Sequence, residues 1–155
     1  MTWILIASLA ASAILAAAPK PDFSGAWKLD PLRSRYNAKV PAPKSATLMI
    51  EHRGSNLRID LATVTATGPQ NYSFELAMDG VEVPKTIDGK TYTALARWGD
   101  IDGTRLVLTI KQETPSGSME TSRVMRLGDK GRILTTVLTI KDSSGQRKAN
   151  EFYTK

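Results

Sequence analysis

Beyond residue 20 the chain alternates apolar and polar side chains, with turn residues breaking the pattern at short intervals. In "ATLMIEH" one face carries Leu48, Ile50 and His52. In "LRIDLATV" Leu57, Ile59 and Leu61 stand against Arg58, Asp60 and Ala62, and "YSFELAM" groups Tyr72, Phe74, Leu76 and Met78. "RLVLTIK" groups Leu106, Leu108 and Ile110, and "ILTTVLTIK" groups Leu134, Leu138 and Ile140. Successive side chains of a strand point to opposite faces, so each run predicts a strand with one apolar and one polar face. No stretch beyond residue 20 has a convincing helical period.

Asp79-Gly80, Asp88-Gly89, Asp102-Gly103, Gly54-Ser55, 128–131 and 143–145 read as hairpin-type turns. Residues 30–44 depart longest from the pattern and contain Pro31, Pro41 and Pro43. Proline cannot donate to a ladder, so this is a crossing loop that can hold one helical turn. Strands of this kind must close on themselves or pack as two sheets, and hairpin-to-hairpin connectivity favours closure. The fold class is therefore all-β: a single antiparallel up-and-down barrel of about eight to ten strands.

The N-terminus changes the picture of where the barrel works. Residues 1–18, "MTWILIASLAASAILAAA", carry no charge and end in small residues. That is the pattern of a secretory leader, with cleavage after Ala16, Ala17 or Ala18, and it predicts a secreted or periplasmic protein. An uncleaved membrane anchor is the alternative. The barrel domain is then 19–155. The chain has 155 residues, no cysteine and a formal charge of +6. Its length supports one core without disulfides, and the lack of thiols excludes cysteine nucleophiles and thiolate metal sites. The charge favours anionic partners, envelope surfaces among them, and Arg33, Arg35, Lys39 and Lys44 form a run without an acid between them. Aromatics make up only 6% of the chain and do not interleave with the basic residues, which argues against nucleic acid as a partner.

Phe23-x-Gly25-x-Trp27 on the first strand, followed by a long loop and hairpin-linked strands, resembles the lipocalin/calycin pattern. The resemblance implies that the Gly25–Trp27 strand closes the narrow end of the barrel, with Trp27 packed under an arginine from near the last strand. Arg147 is the best counterpart for that arginine and Arg132 the second. The chain also resembles a group of secreted bacterial proteins that share an F-S-G-x-W-K-L start, here residues 23–29, a Pro43-Lys44-Ser45 step and a Tyr153-Thr154-Lys155 ending. That likeness carries no mechanism. Independently of either, a Trp two residues after Gly25 shares its face, buries a large area and needs a partner for its indole N–H.

Candidate chemistry is sparse. His52 is the only histidine, and there is no Gly-x-Ser-x-Gly elbow for it to serve. It reads as a residue at the rim of the barrel that can touch a ligand. Asp100-x-Asp102-Gly103 starts like a calcium loop but lacks the later carboxylates, so no metal or other cofactor is expected. "SMETSRVMRL" puts Arg123 on the apolar face of its strand, with Met119, Met125 and Leu127. A buried charge costs several kcal/mol unless paired. Arg123 therefore either meets an inward acid, such as Glu75 or Asp60, or holds an anionic ligand. "YTALARWGD" places Ala94 and Ala96 between Tyr92 and Trp98 on one face, which predicts space bordered by aromatics.

The expectation is a non-enzymatic barrel that binds a small apolar or amphipathic ligand, anionic ones included, through Tyr92, Trp98, Arg123 and His52, with Gly25, Trp27 and Arg147 closing the barrel. The alternative is a filled barrel that docks on anionic envelope components or a protein partner.

Overall fold

Ten antiparallel strands carry the alternation through residues 19–155, the part of the chain described by the computed structural model. The expected leader lies outside the described residues. Strand β1 is Gly25–Leu29, β2 Ser45–Arg53, β3 Asn56–Thr65, β4 Gly68–Ala77 and β5 Val83–Ile87. Strand β6 is Lys90–Trp98, β7 Arg105–Thr114, β8 Gly117–Gly128, β9 Ile133–Asp142 and β10 Gly145–Thr154. Among the described residues no helix is long and apolar enough to cross a membrane.

The strands form one sheet in the order β4-β3-β2-β1-β10-β9-β8-β7-β6-β5. Pairing of β1 with β10 wraps the sheet into a nearly closed up-and-down barrel. The remaining seam lies between β4 and β5, which share no ladder. Tyr72 and Tyr92 meet edge-on beside it, with ring centroids 5.5 Å apart.

Turn chemistry sets the register. Asp88 and Gly89 have φ of 49° and 74°, and Ile87 pairs with Lys90. Two positive φ values in a two-residue loop match the right-handed twist of the flanking strands. Asp79-Gly80 does not make the expected hairpin. The Gly80 N–H donates to the Ala96 carbonyl at 2.9 Å and Asp79 bridges to Arg97, so the chain crosses to β6 instead of doubling back on β4. Residues 30–44 contain no helix. Asp30 N donates to Phe152 O, and Arg35 bridges to Asn150, so this segment runs along β10 before crossing the far end of the barrel.

The inward faces predicted from the alternation are the observed core. Trp27, Leu48, Ile50, Leu57, Ile59 and Phe74 are buried with Leu106, Leu108, Met125 and Leu134. Ala94 and Ala96 are also buried there. The large side chains on facing strands take up the space the alanines leave, and neither alanine borders the cavity described below.

The β9–β10 turn yields a pH prediction. The Asp142 carboxyl is held below its ordinary value by hydrogen bonds from the Ser144 hydroxyl and N–H and by the Arg147 guanidinium. A lowered folded-state value means stability that is present above the unfolded value and lost as pH falls through the folded one. Urea midpoints of the wild type should therefore fall as pH drops below about 4, and Asp142→Asn should flatten that part of the curve.

Candidate functional site: a cavity in the upper half of the barrel

The two ends of the barrel are built differently. At the end where the chain enters, Phe23 and Trp27 are 0% and 1% exposed, and the indole N–H of Trp27 donates to the Phe23 carbonyl at 3.0 Å. The cation over the indole is Lys155, with Nζ 4.6 Å from the ring centroid. Gly25 makes room for it: φ is 147°, and a Cβ there would lie 2.6 Å from Lys155 Cε. Arg147 is not the cap. It pairs with Ile140 near the start of β10, about 26 Å along the strand from Lys155 at 3.3 Å per residue. There its guanidinium is bound to Asp142. Arg132 is also elsewhere, in an exposed pair with Asp129.

His52 and Trp98 lie at this same filled end. Their rings are 5.5 Å apart, Phe23 is 6.3 Å from each, and Lys20 Nζ stands 4.9 Å from the Trp98 ring. Ser24 Oγ accepts from the His52 N–H at 2.9 Å and faces the His52 carbonyl at 3.2 Å, tying the incoming chain to β2. The expected ligand site of Tyr92, Trp98, Arg123 and His52 is therefore split: His52 and Trp98 stand apart from Tyr92 and Arg123. Tyr92 lies near the start of β6 and Trp98 ends it, so one strand carries them toward opposite ends.

Tyr92 and Arg123 border a cavity of about 350 Å³ in the other half of the barrel. Its apolar wall comes from Leu61, Tyr72, Tyr92, Ile110, Leu138 and Ile140. The crossing loop supplies the cover, with Tyr36, Val40 and Pro41 over the opening and Lys39 at its edge. On β8 the inward residues bordering the space are Thr121 and Arg123, where the lower half has Met125.

One polar cluster interrupts the apolar wall. Arg123 and Glu151 have side chains only 10% and 3% exposed, with Nε 3.7 Å from Oε2. The acid on Arg123 is therefore Glu151. Asp60 and Glu75, the expected partners, sit on the opposite face of their strands and pair with Arg58. Tyr36 donates to Glu151 Oε1 at 2.9 Å and Tyr153 to Oε2 at 3.1 Å. Burial and the neighbouring Glu151 push both phenols well above their ordinary value, so both stay protonated and donate. Two buried polar atoms near the pair lack partners: Arg123 Nε and the hydroxyl of Thr136, which is opposite Glu151 across the β9–β10 ladder.

Glu151, Tyr153 and Tyr36 were absent from the sequence-derived site. A signal for two of them existed, because Glu151 shares a face with Ala149 and Tyr153 in "ANEFY", opposite Asn150 and Phe152. That alternation places Glu151 on the inward face. Tyr36 had no such signal, since its position depends on the path of an irregular loop.

No family model and no curated protein matches the sequence. Solved structures do match the fold. Human cRBP IV superposes with a TM-score of 0.56 at 16% identity, over 87% of this chain and 98% of that one. A zebrafish ileal bile acid-binding protein complexed with cholic acid gives 0.50 at 14% identity, over 86% and 98%. Secretory abundant heat soluble protein 4 from Ramazzottius varieornatus gives 0.53 at 15% identity, over 89% and 98%. At these identities the likeness is one of fold, the lipocalin/calycin type of barrel.

Proposed function

We propose that this chain binds one small apolar or amphipathic ligand in the upper half of its barrel, and that it does so as a secreted or periplasmic protein after loss of residues 1–18. The observation that carries the reading is the cavity of about 350 Å³ under the crossing loop, apolar on most of its wall. That volume falls within the range of about 300–1,000 Å³ of small-molecule sites, and a few convergent polar groups are what such sites use to orient a ligand. An apolar body would pack against Tyr92, Ile110 and Leu138, with its polar end at Arg123 and Glu151. One neighbour of the same fold supports a binding role by its name, a bile acid-binding protein complexed with cholic acid, and another, by its name secretory, supports export. The reading contains no covalent step, and it leaves His52 and Trp98 outside the binding site.

Nile red, a neutral apolar dye, tests it. The folded protein should take the dye up saturably with a blue-shifted emission. Thr121→Trp, which fills the cavity from β8, should weaken uptake by about tenfold or more. The same substitution at the closed end, Ser55→Trp, should leave uptake unchanged. Folded wild-type protein that shows no saturable uptake would end the proposal.

A further inference from the structure

Four charged side chains border the cavity: Lys39, Arg123, Arg147 and Glu151. Arg147 is paired with Asp142, Arg123 is paired with Glu151, and Lys39 is exposed at the opening. The buried part of the site is therefore already in electrical balance. Building on the binding role proposed above, we infer that Glu151 makes this cavity select a ligand with a neutral hydroxyl or carbonyl head over one with a carboxylate.

The chemistry of the cluster supports that choice. A carboxylate only accepts hydrogen bonds. To bind Arg123 it must sit beside Glu151 or draw the guanidinium away from it. The first places two like charges together, and the second strands Glu151, whose side chain is 3% exposed, without its cation. An ammonium head meets the mirror-image problem at Arg123. A hydroxyl can accept from the guanidinium and donate to the carboxylate, so it joins the pair without breaking it. Arg123 Nε, which lines the cavity 3.7 Å from Glu151 Oε2, has no hydrogen-bond partner and can donate to such a head. Tyr36 and Tyr153 cannot relieve the crowding, because both already donate to Glu151.

Displacement of Nile red by decanol and by decanoate, at neutral pH and with the wild-type protein, reads the selectivity directly. Decanol should displace the dye at a concentration about tenfold lower than decanoate, a modest expression of a like-charge penalty. Glu151→Gln keeps the shape and frees the guanidinium, so decanoate should gain at least about tenfold relative to decanol. If Glu151→Gln does not fold, the double variant Arg123→Gln, Glu151→Gln leaves no buried charge unpaired and should narrow the wild-type preference for decanol. A wild type that prefers decanoate would overturn the inference, as would a ratio left unchanged in whichever of these variants folds. Nile red uptake with the wrong order of competitors defeats this inference alone. Absence of dye uptake defeats the binding role and this inference with it.

Discussion

Trp27→Ala should destabilise the barrel by about 3 to 5 kcal/mol, the range for losing a large buried aromatic. For a domain of this size that corresponds to a fall in Tm of roughly 10 °C or more. The size of the effect follows from three features of the site. The side chain is 1% exposed, so its removal opens a cavity instead of a surface dent. The neighbours that would have to collapse into the gap, Leu48 and Tyr153, are fixed by ladders on both sides. The indole N–H also holds the Phe23 carbonyl, so the incoming chain loses its tie to the plug. Lys155→Ala should cost far less, about 0.5 to 1 kcal/mol, because the ammonium lies over the ring at an exposed position. Thermal melts of the two variants separate plug from cap. Arg147→Ala should leave the Trp27 environment untouched, and an altered near-UV signal there would contradict the position of β10.

The second large effect concerns the buried pair. Glu151→Ala should cost about 3 to 5 kcal/mol, because it leaves Arg123 buried without an anion. It also removes the acceptor of two tyrosine hydroxyls. Arg123→Ala should cost a similar amount for the complementary reason. The double change Arg123→Met, Glu151→Gln should cost less than either single truncation, since no charge is left buried and glutamine still offers one acceptor oxygen. Urea unfolding of the three variants yields the comparison. Singles that add up to the double would mean that the two groups do not interact. Exposed pairs such as Arg53–Glu51 provide the contrast, where either truncation should change stability by about 1 kcal/mol or less.

The fold was legible in the sequence because period-two alternation and turn residues are local signals. Leu57, Ile59 and Leu61 point inward for the same reason in the sequence and in the barrel. The site was legible only where such a signal reached it. Tyr92 and Arg123 were found on the inward faces of their strands, and both border the cavity. His52 and Trp98 also face inward, but parity says which face a residue occupies and not which end of the barrel it reaches. Only the register places them beside Phe23. The choice of Arg147 as the cap came from the family pattern, and the strand direction rules it out: the residue that reaches Trp27 is at the end of β10, not near its start. The partner of Arg123 depended on which strands adjoin, and β8 faces β10 through β9 without any sequence proximity. Asp60 and Glu75 could have been set aside by parity, since each alternates with the buried positions of its strand.

The central claim is that one half of the barrel is a packed plug and the other a ligand site. Methyl NMR during titration with decanol tests it most directly. Saturable shifts are expected for the methyl signals of Leu61, Ile110, Met119 and Leu138 around the cavity. None is expected at Leu48, Leu106 or Leu134 in the plug. Saturable shifts centred on the plug or on the residues around His52 and Trp98, with the cavity methyls unmoved, would contradict it.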